Sequence, residues 1–101
     1  MKTVISLVCS LVMLGAVSTS FAADAAAGKA KSMTCAACHG ADGVSPNDLW
    51  PNLAGQKEGY LAKQIKAFRD GARQDPMMAP MVKALTDDDI ANLAAYFSSL
   101  K

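Results

Sequence analysis

Two stretches of the chain place hydrophobic residues at the spacing of an amphipathic helix, and a third is rich in alanine; together they predict three main helices. The last stretch begins with Thr86 and an acidic first turn, which is typical of a helix N-terminus. Its apolar face contains Ile90, Leu93, Ala94 and Phe97. The middle stretch ends before Gly71, and its face contains Tyr60, Leu61, Gln64, Ile65 and Phe68. The first, residues 24–34, is rich in alanine. Because no segment of useful length alternates like a strand, the predicted fold class is all-α.

Two long connections separate these helices, and neither shows any periodicity. Residues 40–56 are rich in glycine, proline and asparagine. Residues 72–85 are rich in proline and methionine. Loops of this length in a small domain are usually either functional or disordered. Gly28, inside the first helix, is less favourable than alanine by about 1 kcal/mol. We therefore expect another helix to cross closely at Gly28; the alternative is that the helix merely tolerates a glycine there.

The N-terminal residues 1–22 have the pattern of a secretory signal peptide. Lys2 precedes an apolar run over residues 4–17, and Ser20-Phe21-Ala22 resembles a cleavage site. The run is too short for a membrane span, and Val8 before Cys9 is unlike the small residue of a lipid-anchor site. We therefore expect no stable membrane anchor, and a single exported domain over residues 23–101 in the periplasm.

The charge is balanced. The chain has ten basic and nine acidic residues, and removal of Lys2 with the signal peptide would leave the domain close to neutral. This composition argues against a nucleic-acid-binding surface. A domain of this size has a marginal core and usually needs a disulfide, a metal or another covalent support.

That support is indicated by the sequence Cys35-Ala-Ala-Cys38-His39. Two thiols at this spacing followed by an imidazole are typical of covalent attachment of one c-type haem. Cys35 and Cys38 would form thioethers to the haem vinyl groups, and His39 would bind the iron. A zinc site needs about four ligands, and the chain has only Cys9 besides these three. A redox CxxC motif normally follows a strand, and none is predicted here.

The second axial position of the iron has several candidates. Histidine, methionine, cysteine and tyrosine are the usual ligands, and no second histidine is available. The position is therefore either open or occupied by one of six residues: Met33, Met77, Met78, Met81, Tyr60 or Tyr96. Met33 lies close to the attachment motif in sequence and is poorly placed for the opposite haem face. The cluster at residues 77–81 is the better source.

The chain resembles the class I cytochromes c, of the small bacterial single-haem kind (cytochrome c-553 type). The resemblance covers nearly all of residues 23–101. It rests on Ala27-Gly28, on the motif continued as His39-Gly-Ala-Asp-Gly43, and on Pro51-Asn-Leu-Ala-Gly-Gln56, Tyr60-Leu-Ala-Lys-Gln64, Phe68-Arg-Asp-Gly-Ala-Arg73, Leu85-Thr-Asp-Asp-Asp-Ile90 and Leu93-Ala-Ala-Tyr-Phe97. It implies the cytochrome c fold, with helices and long loops around one haem.

The resemblance also assigns roles to individual residues. In this family the methionine ligand lies seven residues before the leucine that leads into the last helix, which is Met78 here. Met81 is the alternative. Pro51 would accept a hydrogen bond from the ligand imidazole through its carbonyl group. Two further residues, Tyr60 and Arg73, match positions near the haem propionates. Trp50, the only tryptophan, is expected to pack in the haem pocket.

Axial ligation by histidine and methionine predicts an electron carrier and not an enzyme. Both iron positions would be filled, so no vacancy would remain for a substrate. The expected partners are respiratory oxidases, reductases or dehydrogenases, which the protein would meet in small, transient contacts. Two alternatives remain: a gas sensor or peroxidase-like enzyme with an open sixth position, and a dedicated electron-transfer subunit of a dehydrogenase or oxidase complex.

Overall fold

The computed structural model describes residue 15 and residues 22–101. Most of the predicted signal peptide, with Cys9, lies outside these residues. The described part of the chain contains five helices and no strand: α1 Ala25–Lys31, α2 Met33–His39, α3 Glu58–Asp70, α4 Met78–Val82 and α5 Asp87–Ser99. Among them, none combines the length and the apolar composition that a membrane crossing requires.

The predicted first helix is divided in two at Ser32. Asp24 caps the start of α1, since its carboxylate accepts hydrogen bonds from the N–H groups of Ala26 and Ala27. The Ser32 hydroxyl donates to the carbonyl of Lys29 at 2.7 Å and closes the last turn of α1. Helix α2 starts immediately afterwards, so the Cys-Ala-Ala-Cys-His motif has a short helix of its own.

Helices α1 and α5 cross at Gly28, as predicted. A Cβ atom at Gly28 would overlap the carbonyl of Asn92 and would lie 2.9 Å from the Cβ of Tyr96. The Asn92 side chain also accepts a hydrogen bond of 2.8 Å from the backbone N–H of Asp24. The absence of a side chain at residue 28 therefore lets the two backbones come into direct contact.

The hydrophobic core lies mainly along α5. All four residues of its predicted apolar face are buried, and Leu93 and Phe97 are the largest fully buried side chains. Leu61 of α3 packs into the same cluster. The other residues of the predicted α3 face are only partly buried, and Tyr60 is 50% exposed. The order of these elements and their packing confirm the predicted all-α class.

A capping box fixes the start of α5. The Thr86 hydroxyl accepts from the N–H of Asp89, and the Asp89 carboxylate accepts from the N–H of Thr86. This hydrogen bond from Thr86 lowers the pKa of Asp89, and Lys31 lowers it further. Arg69 of α3 joins the same region, because it donates to the carbonyl of Leu85 and pairs with Asp87 at 2.8 Å.

The prediction that residues 72–85 form an irregular loop is wrong over residues 78–82, where the chain forms α4. Pro80 suggested a break in regular structure. It is the third residue of the helix, where a backbone N–H has no partner within the helix, so proline costs little there. Helix α4 packs against α3.

Substitution of Gly28 by alanine should strongly destabilise the haem-loaded protein, by about 2–4 kcal/mol, because the new methyl group overpacks a backbone contact. Urea unfolding followed by circular dichroism measures this loss. Gly59→Ala is the matched control, since nothing lies within 4 Å of a Cβ there. It should leave stability unchanged or raise it by up to about 1 kcal/mol. Equal midpoints for the two variants would contradict the close crossing.

Candidate haem site

Helix α2 places the three chemical groups of the motif on one side. Residues three and four positions apart share a helix face, so Cys35, Cys38 and His39 project in similar directions. Both cysteines are half-buried and no disulfide joins them, while His39 is only 7% exposed. The arrangement presents two sulfur atoms and one imidazole to the same neighbouring space.

One hydrogen bond fixes the imidazole. The Nδ1 atom of His39 lies 2.8 Å from the carbonyl oxygen of Pro51. Because a carbonyl oxygen only accepts, Nδ1 carries the proton and donates it. In the neutral ring, Nε2 then has a lone pair directed away from Pro51. This is the tautomer that a metal-binding histidine requires, and the carbonyl contact also sets the plane of the ring.

The loop after the motif is folded back so that Pro51 can reach His39. Gly40 ends α2 with a positive φ of 85°, and a Cβ there would overlap the carbonyl of Val44. The carbonyl of Gly43 accepts hydrogen bonds from the N–H groups of Leu53 and Ala54 at 2.8 and 3.0 Å. These bonds close the loop on both sides of Pro51.

Helix α5 supports the same loop through Tyr96. Its hydroxyl donates to the carbonyl of Ala41 at 3.2 Å, across 55 residues of sequence. This contact could not be predicted from the sequence, since an aromatic residue on an apolar helix face indicates only packing. The Tyr96 hydroxyl therefore ties the loop that follows the motif to α5.

The environment of Cys35 argues against a redox role for the two thiols. Burial raises the pKa of Cys35, and a hydrogen bond from Thr34 opposes this effect only in part. Redox-active CxxC motifs instead lower the pKa of the attacking thiol. The preceding element is helix α1 and not a strand. Both observations argue against disulfide exchange at this motif.

Among the candidate methionines, Met78 is the most protected. It is half-buried at the first position of α4, whereas Met77 and Met81 are each 56% exposed. Met33, on the attachment helix, is 75% exposed. The backbone at Met78 is held by Asp75, whose Oδ1 atom accepts from the N–H groups of Met77 and Met78 at 2.8 and 3.0 Å.

The cytochrome c family model matches residues 25–101 of the chain. The chain belongs to the cytochrome c family. The match covers every described helix and includes the complete motif on α2. Cytochromes c carry haem covalently, so this chain carries haem c. It acts in electron transfer, as a carrier and not as an enzyme.

Individual relatives agree with this assignment. The chain is 52% identical to cytochrome c-554(548) of Halomonas halodenitrificans over 77% of this chain and 98% of that protein. It is 41% identical to the thiosulfate dehydrogenase electron acceptor of Thiomonas intermedia, over 93% of this chain and 44% of that one. The crystal structure of reduced cytochrome c4 from Pseudomonas stutzeri superposes with a TM-score of 0.76 and 44% identity, covering 79% of this chain and 47% of that chain. The chain thus spans about half the length of the longer relatives.

The residues on α2 fit the requirements of haem c. Two thiols are available for thioether bonds, and the imidazole presents an unprotonated nitrogen for the iron. The remaining predicted pocket residues are less closely linked to the motif. Trp50 is half-buried in the loop that carries Pro51, and Tyr60, near the start of α3, is 50% exposed. Their contacts with haem remain predictions.

Arg73 lies beside α3, shortly before the methionine cluster at residues 77–81. Its guanidinium group stacks over the Phe68 ring at 4.4 Å and donates to Gln64 at 2.9 Å. With Asp75 it borders a groove of about 550 Å³. Within the described residues these contacts hold Arg73 against α3, and its predicted role near a propionate stays a prediction.

Replacement of Cys38 by alanine should leave the haem attached through one thioether bond only, because Cys35 and His39 remain in place on α2. Intact-mass spectrometry and pyridine haemochrome spectra count the remaining bonds. Replacement of both cysteines should remove covalent haem altogether. Full covalent attachment in the double variant would show that the thiols of α2 are not the attachment points.

Proposed function

We propose that the protein is a periplasmic electron carrier in which His39 and Met78 bind the two axial positions of the haem iron. The observation that carries the proposal is the protected position of Met78 on its own short helix, separate from the helix that carries His39. The iron of such a group gains and loses one electron as it cycles between Fe(II) and Fe(III). The N-terminal signal pattern supports export of residues 23–101.

The other candidate ligands are less well suited. The Tyr96 hydroxyl is engaged with the carbonyl of Ala41, so its oxygen is turned toward that loop. Met33 lies on the same helix as His39, two residues before Cys35. Tyr60, Met77 and Met81 are each at least half exposed, and of these Met81, one helical turn after Met78, is the main alternative. Met78 combines partial burial with a backbone N–H that is held by Asp75.

The residues around the iron would keep its surroundings constant during electron transfer. Pro51 holds the His39 ring, and the N–H groups at the start of α4 are held by Asp75. Ligands that are fixed before the electron arrives need little rearrangement afterwards. A soft thioether also favours the reduced state, so the His39–Met78 pair raises the reduction potential.

The loop beside the motif offers a surface for redox partners. Leu49 is 85% exposed and Val44 is 49% exposed. Both residues lie in the loop between the attachment motif and Pro51. The chain is close to neutral overall. These features support brief, largely apolar encounters with respiratory oxidases, reductases or dehydrogenases.

A second candidate function follows from the similarity to the thiosulfate dehydrogenase electron acceptor. The protein would then receive electrons from one dehydrogenase in a lasting complex. Size-exclusion chromatography of the native periplasmic fraction separates the two possibilities. A free carrier elutes at the size of the small domain, whereas a dedicated subunit elutes with its enzyme.

Met78→Ala should abolish the thioether-to-iron absorption band of the oxidised protein. It should also lower the reduction potential by on the order of 0.1 V or more, a fraction of the roughly 0.8 V that axial ligands control. Optical spectra and potentiometric titration measure both effects. Met81→Ala is the matched control and should keep the band and the potential.

The opposite pattern, in which Met81→Ala removes the band, would reassign the ligand to Met81. A high-spin oxidised protein whose reduced form binds carbon monoxide rapidly would favour the gas-sensor or peroxidase-like alternative. Either result would contradict the proposed pair of ligands.

A further inference from the structure

We propose that Asp75 is the positioning residue for the methionine ligand: its side chain fixes the start of α4 and so keeps the Met78 thioether in place. The proposal rests on Met78 being the ligand, as proposed above. Asp75 touches neither haem nor iron in this account. It acts through the backbone of the residue that does.

Three successive hydrogen bonds converge on Asp75. Its Oδ1 atom accepts from the N–H of Met77 at 2.8 Å and from the N–H of Met78 at 3.0 Å. Its backbone carbonyl accepts from the N–H of Ala79 at 3.0 Å. The first N–H groups of a helix have no partners within the helix, and here Asp75 accepts from those of Met78 and Ala79 and from the N–H of Met77 just before them. The backbone of Met78 is therefore tied to the position of Asp75.

The segment that contains Asp75 is tied to α3 at both ends. At its start, the Arg73 side chain binds Gln64 and stacks on Phe68. At its end, Arg69 donates to the carbonyl of Leu85. About a dozen residues lie between these anchors, and the Asp75 side chain restrains the middle of that span, next to Met78.

The chemistry of the ligand makes such a restraint necessary. A thioether is a neutral, weak ligand, and it must compete with water and with small nitrogen bases for the oxidised iron. A methionine on a mobile segment would spend part of its time away from the iron. A fixed backbone reduces the entropy lost on binding and so favours the bound state.

The proposal assigns the contribution of Asp75 to its hydrogen bonds. Both side-chain contacts use the same oxygen, Oδ1. An asparagine at residue 75 can present an equivalent carbonyl oxygen, whereas alanine cannot. The pair Asp75→Asn and Asp75→Ala therefore separates the loss of charge from the loss of the cap.

The test measures binding of imidazole to the oxidised, haem-loaded protein. Imidazole reaches the iron only when Met78 is displaced, so its apparent affinity reports the displaced fraction. Asp75→Ala should tighten imidazole binding by about tenfold, equivalent to about 1.4 kcal/mol, and weaken the thioether band. Asp75→Asn should stay within about twofold of the natural protein, because a substitution that retains the cap costs little.

Asp89→Ala is the matched control. It removes an aspartate of the same kind, which caps α5 and not the methionine-bearing helix. We expect it to lower the urea midpoint while leaving imidazole affinity unchanged. If Asp89→Ala tightened imidazole binding as much as Asp75→Ala, general destabilisation would explain the effect and the proposal would be wrong.

Two further outcomes overturn the proposal. Unchanged imidazole affinity in Asp75→Ala would show that Met78 stays in place without the cap. Equal effects of Asp75→Asn and Asp75→Ala would assign the effect to the carboxylate charge. Met78→Ala serves as the reference for full displacement. If that variant keeps the thioether band, the proposed ligand itself has failed, which is distinct from a failure of Asp75 to position it.

Discussion

The site depends first on the hydrogen bond from His39 Nδ1 to the carbonyl of Pro51. It joins the end of α2 to a loop residue twelve positions later, and it selects the ring tautomer that leaves Nε2 for a metal. The loop can make this bond because Gly40 turns the chain sharply and Gly43 accepts from the backbone on the far side of Pro51. Tyr96 then ties the loop to α5. One short contact thus links the attachment helix, the loop and the core.

The structure separates the elements that give stability from those that carry the chemistry. The contact at Gly28 and the buried face of α5 hold the helices together. The residues proposed to bind iron lie on two short helices, α2 and α4, each next to a long irregular segment. Such segments move unless they are fixed, and here they are fixed by hydrogen bonds to backbone groups. This division explains why Pro51 and Asp75, which have no redox chemistry of their own, are important to the proposed function.

Much of this organisation could be predicted from the sequence. The spacing of apolar residues was sufficient to predict which side of α5 is buried. The motif on α2, together with the family resemblance, was sufficient to predict the fold. Helix α4 was missed because it is only five residues long and contains Pro80. The role of Asp75 was also missed, although Asp-Pro before a short helix is a recognised start signal. The contact between Tyr96 and Ala41 had no signal, since it depends on how distant segments pack.

The central claim is that Met78 completes the coordination of an iron already bound by His39. Proton NMR of the reduced protein, with ¹³C-labelled methionine methyl groups and sequential assignment, tests it most directly. The account predicts one methionine methyl resonance shifted strongly upfield by the haem ring current, assigned to Met78, with the others at ordinary positions. No shifted methyl resonance, or one assigned to Met77 or Met81, would contradict it.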